Sequence, residues 1–183
     1  MDDIVRQAMA KWPDVPDCFG WLGLDSRGQW WMRDDRAQAL GAFQSGIPGA
    51  KGSVLRHEKL IDFIHRNYEA DALGRWYFQN GPQRVYIELE ATPHIWCIGD
   101  DFAVSSHTGT WTEVNKCLVD ENGKVYLHTT MGFGLVHTLD VPRAAQALEM
   151  ARWSLEDALF GDLPTHYGYV MSPQERNKAK QQA

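Results

Sequence analysis

Apolar positions change their period several times along the chain, and each change predicts an element. Ile4, Val5, Ala8, Met9 and Trp12 recur at helical spacing, predicting a helix over 2–12 that Pro13 ends. Residues 19–33 read as a hairpin around "DSRG". Gly41, Gly46, Gly49 and Gly52, with Pro48, predict a mobile loop over 41–53. Leu60, Ile61, Ile64 and Tyr68 then share one face, predicting a helix over 54–69 capped by Ser53. Strands are predicted at 74–79, 83–90, 94–98, 102–106, 112–119, 124–130 and 135–139. Asp140 and Pro142 open a helix through Met150, Ser154 is read as the cap of a shorter one, and the polar stretch 173–183 as a flexible tail.

One pattern occurs three times: "DSRGQWWM" at 25–32, "DALGRWYF" at 71–78 and "DENGKVYL" at 120–127, spaced 46 and 49 residues apart. An Asp that opens a type I turn accepts from the backbone just beyond it. A Gly at the fourth position takes positive φ and realigns the two strands. Each copy therefore predicts a hairpin, and the near-equal spacing suggests a duplicated strand motif. The segments between copies differ, which excludes a long solenoid.

The predicted order implies an α+β fold with a mainly antiparallel sheet and repeated hairpin motifs. An N-terminal helix-plus-hairpin half is expected over 1–92, and a C-terminal β-meander or barrel-like half with terminal helices over 93–172. The two are expected to pack as one unit, followed by the tail at 173–183.

Composition narrows the function classes. The 183 residues are 44% hydrophobic and 23% charged, ordinary for a folded globular protein, with a net charge of −6. An acidic chain without a Lys/Arg block has no nucleic-acid footprint. No apolar run has the length of a transmembrane helix, and the acidic amphipathic start is unlike a secretory signal, so the expected location is cytoplasmic. Cys18, Cys97 and Cys117 are odd in number and widely spaced, which reads as three small buried side chains and not as a disulfide framework. His57 and His65 would be rotated by about 80° on a helix, and no His-x-His or His-Glu-x-x-His occurs, so no metal is expected. "GIPGAKGS" at 46–53 has Lys51 before Gly52, the wrong order for a phosphate-binding loop. No cofactor is expected.

The stretch "QRVYIELEATPHIW", residues 83–96, carries the candidate site. Alternation places Val85, Ile87 and Leu89 on one face, and Arg84, Tyr86, Glu88 and Glu90 on the other. That polar face is either solvated or lines a cleft closed by the loop at 41–53, with His57 or Lys59 approaching from the helix start. In a cleft, Arg84 would clamp an anion or pair with Glu88, and Tyr86 would offer a ring and a hydroxyl. In "TTMGFGLVHT", Gly132 and Gly134 around Phe133 read as a bulge, a bend or a close approach.

In order of motifs the chain resembles a bacterial family of unknown function with repeated α+β motifs. That family shows a "DG-W" hairpin, a helix with a "LVRLF"-like core, then "dG-YYLVTPVEK-x-I-x-VEDAP". Here the order is "SRGQWWM", "EKLIDFI" and "DALGRWYFQNGPQRVYIELEATP". Gly74, Tyr77 and Phe78 match the second hairpin, Pro82 and Arg84 its Pro and basic residue, and Ile87, Leu89, Glu90 and Pro93 its last strand. "TTMGFGLV" resembles a later strand turn. The resemblance covers about 19–140, with Ala91 where the family has Asp. It implies a compact α+β fold and a ligand-binding or signalling role, with no catalytic residues to carry over.

Together these readings predict a cytoplasmic, non-catalytic small-molecule-binding or regulatory module. The expected ligand is an anionic small molecule held by Arg84, Tyr86, Glu88, Glu90, His57 and Lys59, with a homodimer as the expected assembly. Two alternatives stay open. One is a small hydrolase-like enzyme using Glu88 or Glu90 as its acid-base group; the other is a protein-interaction module exposing tryptophans.

Overall fold

The computed structural model describes residues 1–181. Its elements run α1 (Asp3–Lys11), β1 (Cys18–Leu24), β2 (Trp30–Met32), α2 (Asp35–Leu40), β3 (Ser53–Val54), α3 (Glu58–Arg66), β4 (Tyr68–Ala70), β5 (Trp76–Asn80) and β6 (Gln83–Leu89). They continue as β7 (His94–Ile98), β8 (Val104–Ser106), β9 (Trp111–Thr112), β10 (Val114–Asp120), β11 (Val125–Thr129), β12 (Gly132–Val136), α4 (Val141–Glu149), β13 (Leu155–Ala158), α5 (Leu163–His166) and α6 (Pro173–Gln181). The fold is α+β and forms two units. The first comprises Met1–Asp25, Gln29–Glu90 and the chain from Tyr169 on; the second comprises Ser26–Gly28 and Ala91–Gly168.

The first unit is a sheet in the order β3-β2-β1-β6-β5-β4. Its centre is the parallel pair β1–β6, with Leu22 opposite Ile87 and Leu24 opposite Leu89; the other pairings are antiparallel. These four side chains are buried, as is Ile64 of α3. Helix α3 is fixed on the sheet by two aromatic contacts. The Trp30 indole N–H donates to His65 Nε2 at 2.9 Å, and Phe63 meets Phe78 edge-on at 6.2 Å. A buried ring whose polar edge finds a partner contributes area without an unsatisfied donor.

The second unit is a sheet in the order β13-β10-β11-β12-β7-β8-β9. The antiparallel meander β10-β11-β12 continues into β7 through a parallel pairing, and β13 pairs parallel with β10. Trp96, Ile98, Val104, Cys117, Leu127, Val136 and Ala144 form its core. A Cβ on Gly134 would stand 2.5 Å from the His94 carbonyl oxygen and from Trp96 Nε1. The second glycine of "GFG" thus serves a close approach of protein to protein.

The three Asp-x-x-Gly segments are hairpin turns of one kind. The carboxylates of Asp25, Asp71 and Asp120 accept the backbone N–H of Gln29, Arg75 and Lys124 at 2.8, 3.0 and 2.8 Å. Gly28, Gly74 and Gly123 have φ of 78°, 74° and 75°, the left-handed region that a Cβ disfavours. A fourth turn of this form joins β8 to β9, where the Ser106 hydroxyl accepts from Thr110 N–H at 3.4 Å and Gly109 has φ 82°. Ser in place of Asp hides that copy in the sequence, and its position falls outside the 46- and 49-residue spacing.

Several expectations need correction. The sheets are mainly antiparallel, as expected, but mixed, because β1–β6, β7–β12 and β10–β13 run parallel. The helix expected over 54–69 is shortened to α3, and its cap is the His57 imidazole, which accepts from Leu60 N–H, instead of Ser53. Ser53 and Tyr68 are strand residues, since the edges of the sheet recruit backbone from both flanks of the helix. Asp34 caps α2, a helix that had no strong apolar period to announce it. Ser154 precedes strand β13 and not a helix. Residues Pro173–Gln181 form α6 where a flexible tail was expected.

Candidate functional site

Strand β6 does present Arg84, Tyr86 and Glu88 on one face, but packing closes over most of it. Tyr86 is fully buried, stacked on Phe19 with ring centroids 4.6 Å apart. Its hydroxyl donates to Asp71 at 3.1 Å and accepts from Arg75, which also pairs with Asp71. The Arg84 guanidinium lies over the Tyr77 ring at 4.9 Å. The cluster is satisfied from within.

Glu88 is also buried. It accepts from the Ser172 hydroxyl at 2.5 Å and from Gln174 N–H at 3.0 Å, so a strand residue caps the N-terminus of α6. Burial pushes its carboxyl above the ordinary range. The Ser172 and Gln174 hydrogen bonds and the charge of Arg33 pull the other way without reversing the rise. His57 is spent on capping α3, and Lys59 stands in the exposed first turn of that helix.

Glu90, one residue past β6, is placed differently. It pairs with Lys51 at 2.6 Å inside a cavity of about 360 Å³, lined by Trp31, Phe43, Gln44, Ile47 and Pro48 besides the pair itself. The Lys51 ammonium lies 5.7 Å from the Trp31 ring and 5.6 Å from the Phe43 ring, within reach of both π faces. Both partners keep about a third of their side-chain surface in solvent, 30% for Lys51 and 29% for Glu90. The indole N–H of Trp31 donates to Asp25 at 2.9 Å, which fixes the ring plane as a wall.

The Gly-rich segment forms the other wall, and it is tethered. Arg33, buried to 1% exposure, donates to the carbonyls of Ala50 at 2.8 Å and Gly41 at 2.5 Å, the two ends of the loop. A third bond reaches Gly20 O at 3.3 Å. Gln44 reaches out of the loop to the carbonyls of Leu89 and Met171 at 2.8 and 2.9 Å. The loop read as mobile is therefore anchored at both ends and near its start. Arg33, Phe43 and Gln44 escaped the sequence reading, and Lys51 was weighed only for a phosphate-binding loop; the glycine spacing marked the loop without marking its contacts.

Two other cavities differ from this one in their chemistry. A space of about 390 Å³ in the second unit is lined by Glu156, Asp157, Asp162, His166 and Tyr167, and Glu156 there is paired with Lys116 at 2.8 Å. A groove of about 250 Å³ in the first unit is almost wholly apolar, with Leu22, Met32, Ile64 and Phe78 among its walls. The loop cavity alone of the three joins both signs of charge to aromatic walls, the mixture that orients a small ligand. Among the described residues, no group of three or more His, Cys, Asp or Glu side chains is placed to hold a metal ion, and no helix is long and apolar enough to cross a membrane. Burial pushes the Cys117 thiol up to about 11, so it stays protonated.

Residues 1–174 match the model of the DUF2944 family, described as "Protein of unknown function (DUF2946)". The crystal structure of a DUF1285 family protein from Silicibacter pomeroyi DSS-3 is similar at a TM-score of 0.48 and 11% identity, over 72% of this chain and 70% of that one. No curated protein matches the chain.

Proposed function

We propose a binding function for this chain, which belongs to the DUF2944 family. It is a non-catalytic, cytoplasmic small-molecule-binding module, and its ligand occupies the cavity between Trp31 and the loop over 41–52. One observation carries the reading: the Lys51–Glu90 pair, still reachable by solvent, is held against aromatic rings inside a concavity. Ion pairs of little structural value are common on open surfaces. One set in an aromatic-walled cavity offers a ligand charge, orientation and apolar area at once.

The acid-base alternative needs a carboxyl with a raised pKa facing the reacting space. Glu88 has the raised pKa, but its two oxygens are engaged by Ser172 and Gln174, and it does not line the loop cavity. This favours binding over catalysis. The anion-contacting role expected of Arg84 passes to Lys51, the cation that lines the cavity.

A fragment screen by thermal shift, repeated on Lys51→Ala, tests the proposal. Hits on the parent should bind the variant at least about tenfold more weakly, as expected when a charged hydrogen bond is lost. Hits that bind both proteins equally, or that move NMR signals only outside the loop cavity, would overturn it.

A further inference from the structure

The structure assigns a ligand class to this cavity: a small zwitterion with an apolar side chain, of which an α-amino acid is the simplest form. The inference rests on the binding function proposed above and adds the charge pattern of the ligand. Lys51 and Glu90 are 2.6 Å apart, so a ligand that engages either one must enter their pair or share it. A plain anion would bind Lys51 and leave the Glu90 carboxylate beside a like charge. A plain cation would satisfy Glu90 and strand Lys51 between Trp31 and Phe43. Each gives up the Lys51–Glu90 contact and makes a single ionic contact in its place, so the number of ion pairs does not rise.

A molecule carrying both charges replaces one ion pair with two. Its carboxylate takes Lys51 and its ammonium takes Glu90. The remaining walls define the rest of the ligand. Trp31, locked by Asp25, together with Ile47 and Pro48, offers apolar surface to a side chain. A Cβ on Gly46 would meet nothing within 4 Å, so the backbone there borders open space. A volume of about 360 Å³ lies in the range of small-molecule sites, and the carboxylate in its lining works against a polyphosphate.

The experiment titrates ¹⁵N-labelled protein with L-phenylalanine and L-leucine. N-acetyl-L-phenylalanine serves as the anion-only form and L-phenylalaninamide as the cation-only form. The free amino acids should shift Gly46, Gly49, Lys51 and the Trp31 indole N–H saturably, and either blocked form should bind about tenfold more weakly or worse. In Glu90→Gln the preference over the N-acetyl form should vanish, and in Lys51→Met the preference over the amide. If a blocked form binds the parent as tightly as the free amino acid, the zwitterion assignment is wrong while the cavity remains a binding site. If the amino acids leave these signals unmoved while other fragments shift them, the assignment is likewise wrong. If no compound of either kind shifts them, both readings fall.

Discussion

Lys51 and Glu90 meet at 2.6 Å although 39 residues separate them, one from an irregular loop and the other from the end of a central strand. That pair converts a glycine-rich loop from a surface connection into one wall of a chemically mixed cavity. Of the polar face expected on β6, Glu90 alone reaches this space, because Tyr86 and Glu88 are sealed by Phe19 and α6 respectively.

The pair should matter little to folding. With about a third of each side chain exposed, Lys51→Ala and Glu90→Gln should each cost no more than about 1 kcal/mol in chemical denaturation. A loss of several kcal/mol would make the pair a structural support and remove the main reason to call it a site.

Arg33 should be far more sensitive. Arg33→Met leaves the carbonyls of Gly20, Gly41 and Ala50 without its guanidinium, at a cost of about 3 kcal/mol or more. Arg33→Lys keeps the charge but not the planar fork, and should loosen the loop. Limited proteolysis should then cut within residues 42–49 faster in the Lys variant than in the parent. Equal rates would show that the tether does not hold the loop.

Two glycine substitutions separate backbone strain from crowding. Gly123 has φ 75° with open space around a would-be Cβ, so Gly123→Ala should cost about 1–2 kcal/mol from the left-handed conformation alone. Gly52 has φ 80°, and a Cβ there would collide with the Met32 carbonyl oxygen. Gly52→Ala should therefore destabilise more than Gly123→Ala and disturb the loop cavity. Equal losses in thermal unfolding would contradict the crowding.

His94 makes stability depend on acid. Burial lowers its pKa from 6.5 to about 4. A group whose folded pKa is depressed binds more protons when unfolded, so stability is fully present above pH 6.5 and is lost as pH falls toward 4. The loss attributable to this residue is on the order of 3 kcal/mol. In His94→Phe the dependence of unfolding free energy on pH between 6.5 and 4 should flatten, whatever the absolute stability. An unchanged slope would show that His94 is not the group responsible.

Glu88 acts in the opposite direction. Its folded pKa lies above the ordinary carboxylate value of 4.5, so the folded state holds the proton more tightly than the unfolded chain. Its contribution is most favourable below pH 4.5 and declines as pH rises through the folded pKa. Glu88→Gln removes that decline and keeps an acceptor for Ser172 or Gln174. The melting temperature of the variant minus that of the parent should rise from pH 4 to pH 7. A difference that falls over this range would mean that the ionised carboxylate is the form the fold favours.

Local chemistry was largely legible in the chain. Asp25, Asp71 and Asp120 announced their turns because the acceptor and the backbone it binds lie within four residues, and because glycine alone reaches the required φ without cost. The α+β class, the alternation of β6 and the extent of the glycine loop follow from equally short-range patterns. Tertiary structure decided the rest. Whether β1 meets β6 in parallel, whether Leu155–Ala158 becomes a strand, and which polar residues of β6 are covered all depend on partners far away in sequence. Alternation states that Glu88 and Glu90 share a face, but not that Ser172 and Gln174 engage one while Lys51 pairs with the other. Burial and ion pairing are set by distances in space, and only the closed fold brings those groups within reach.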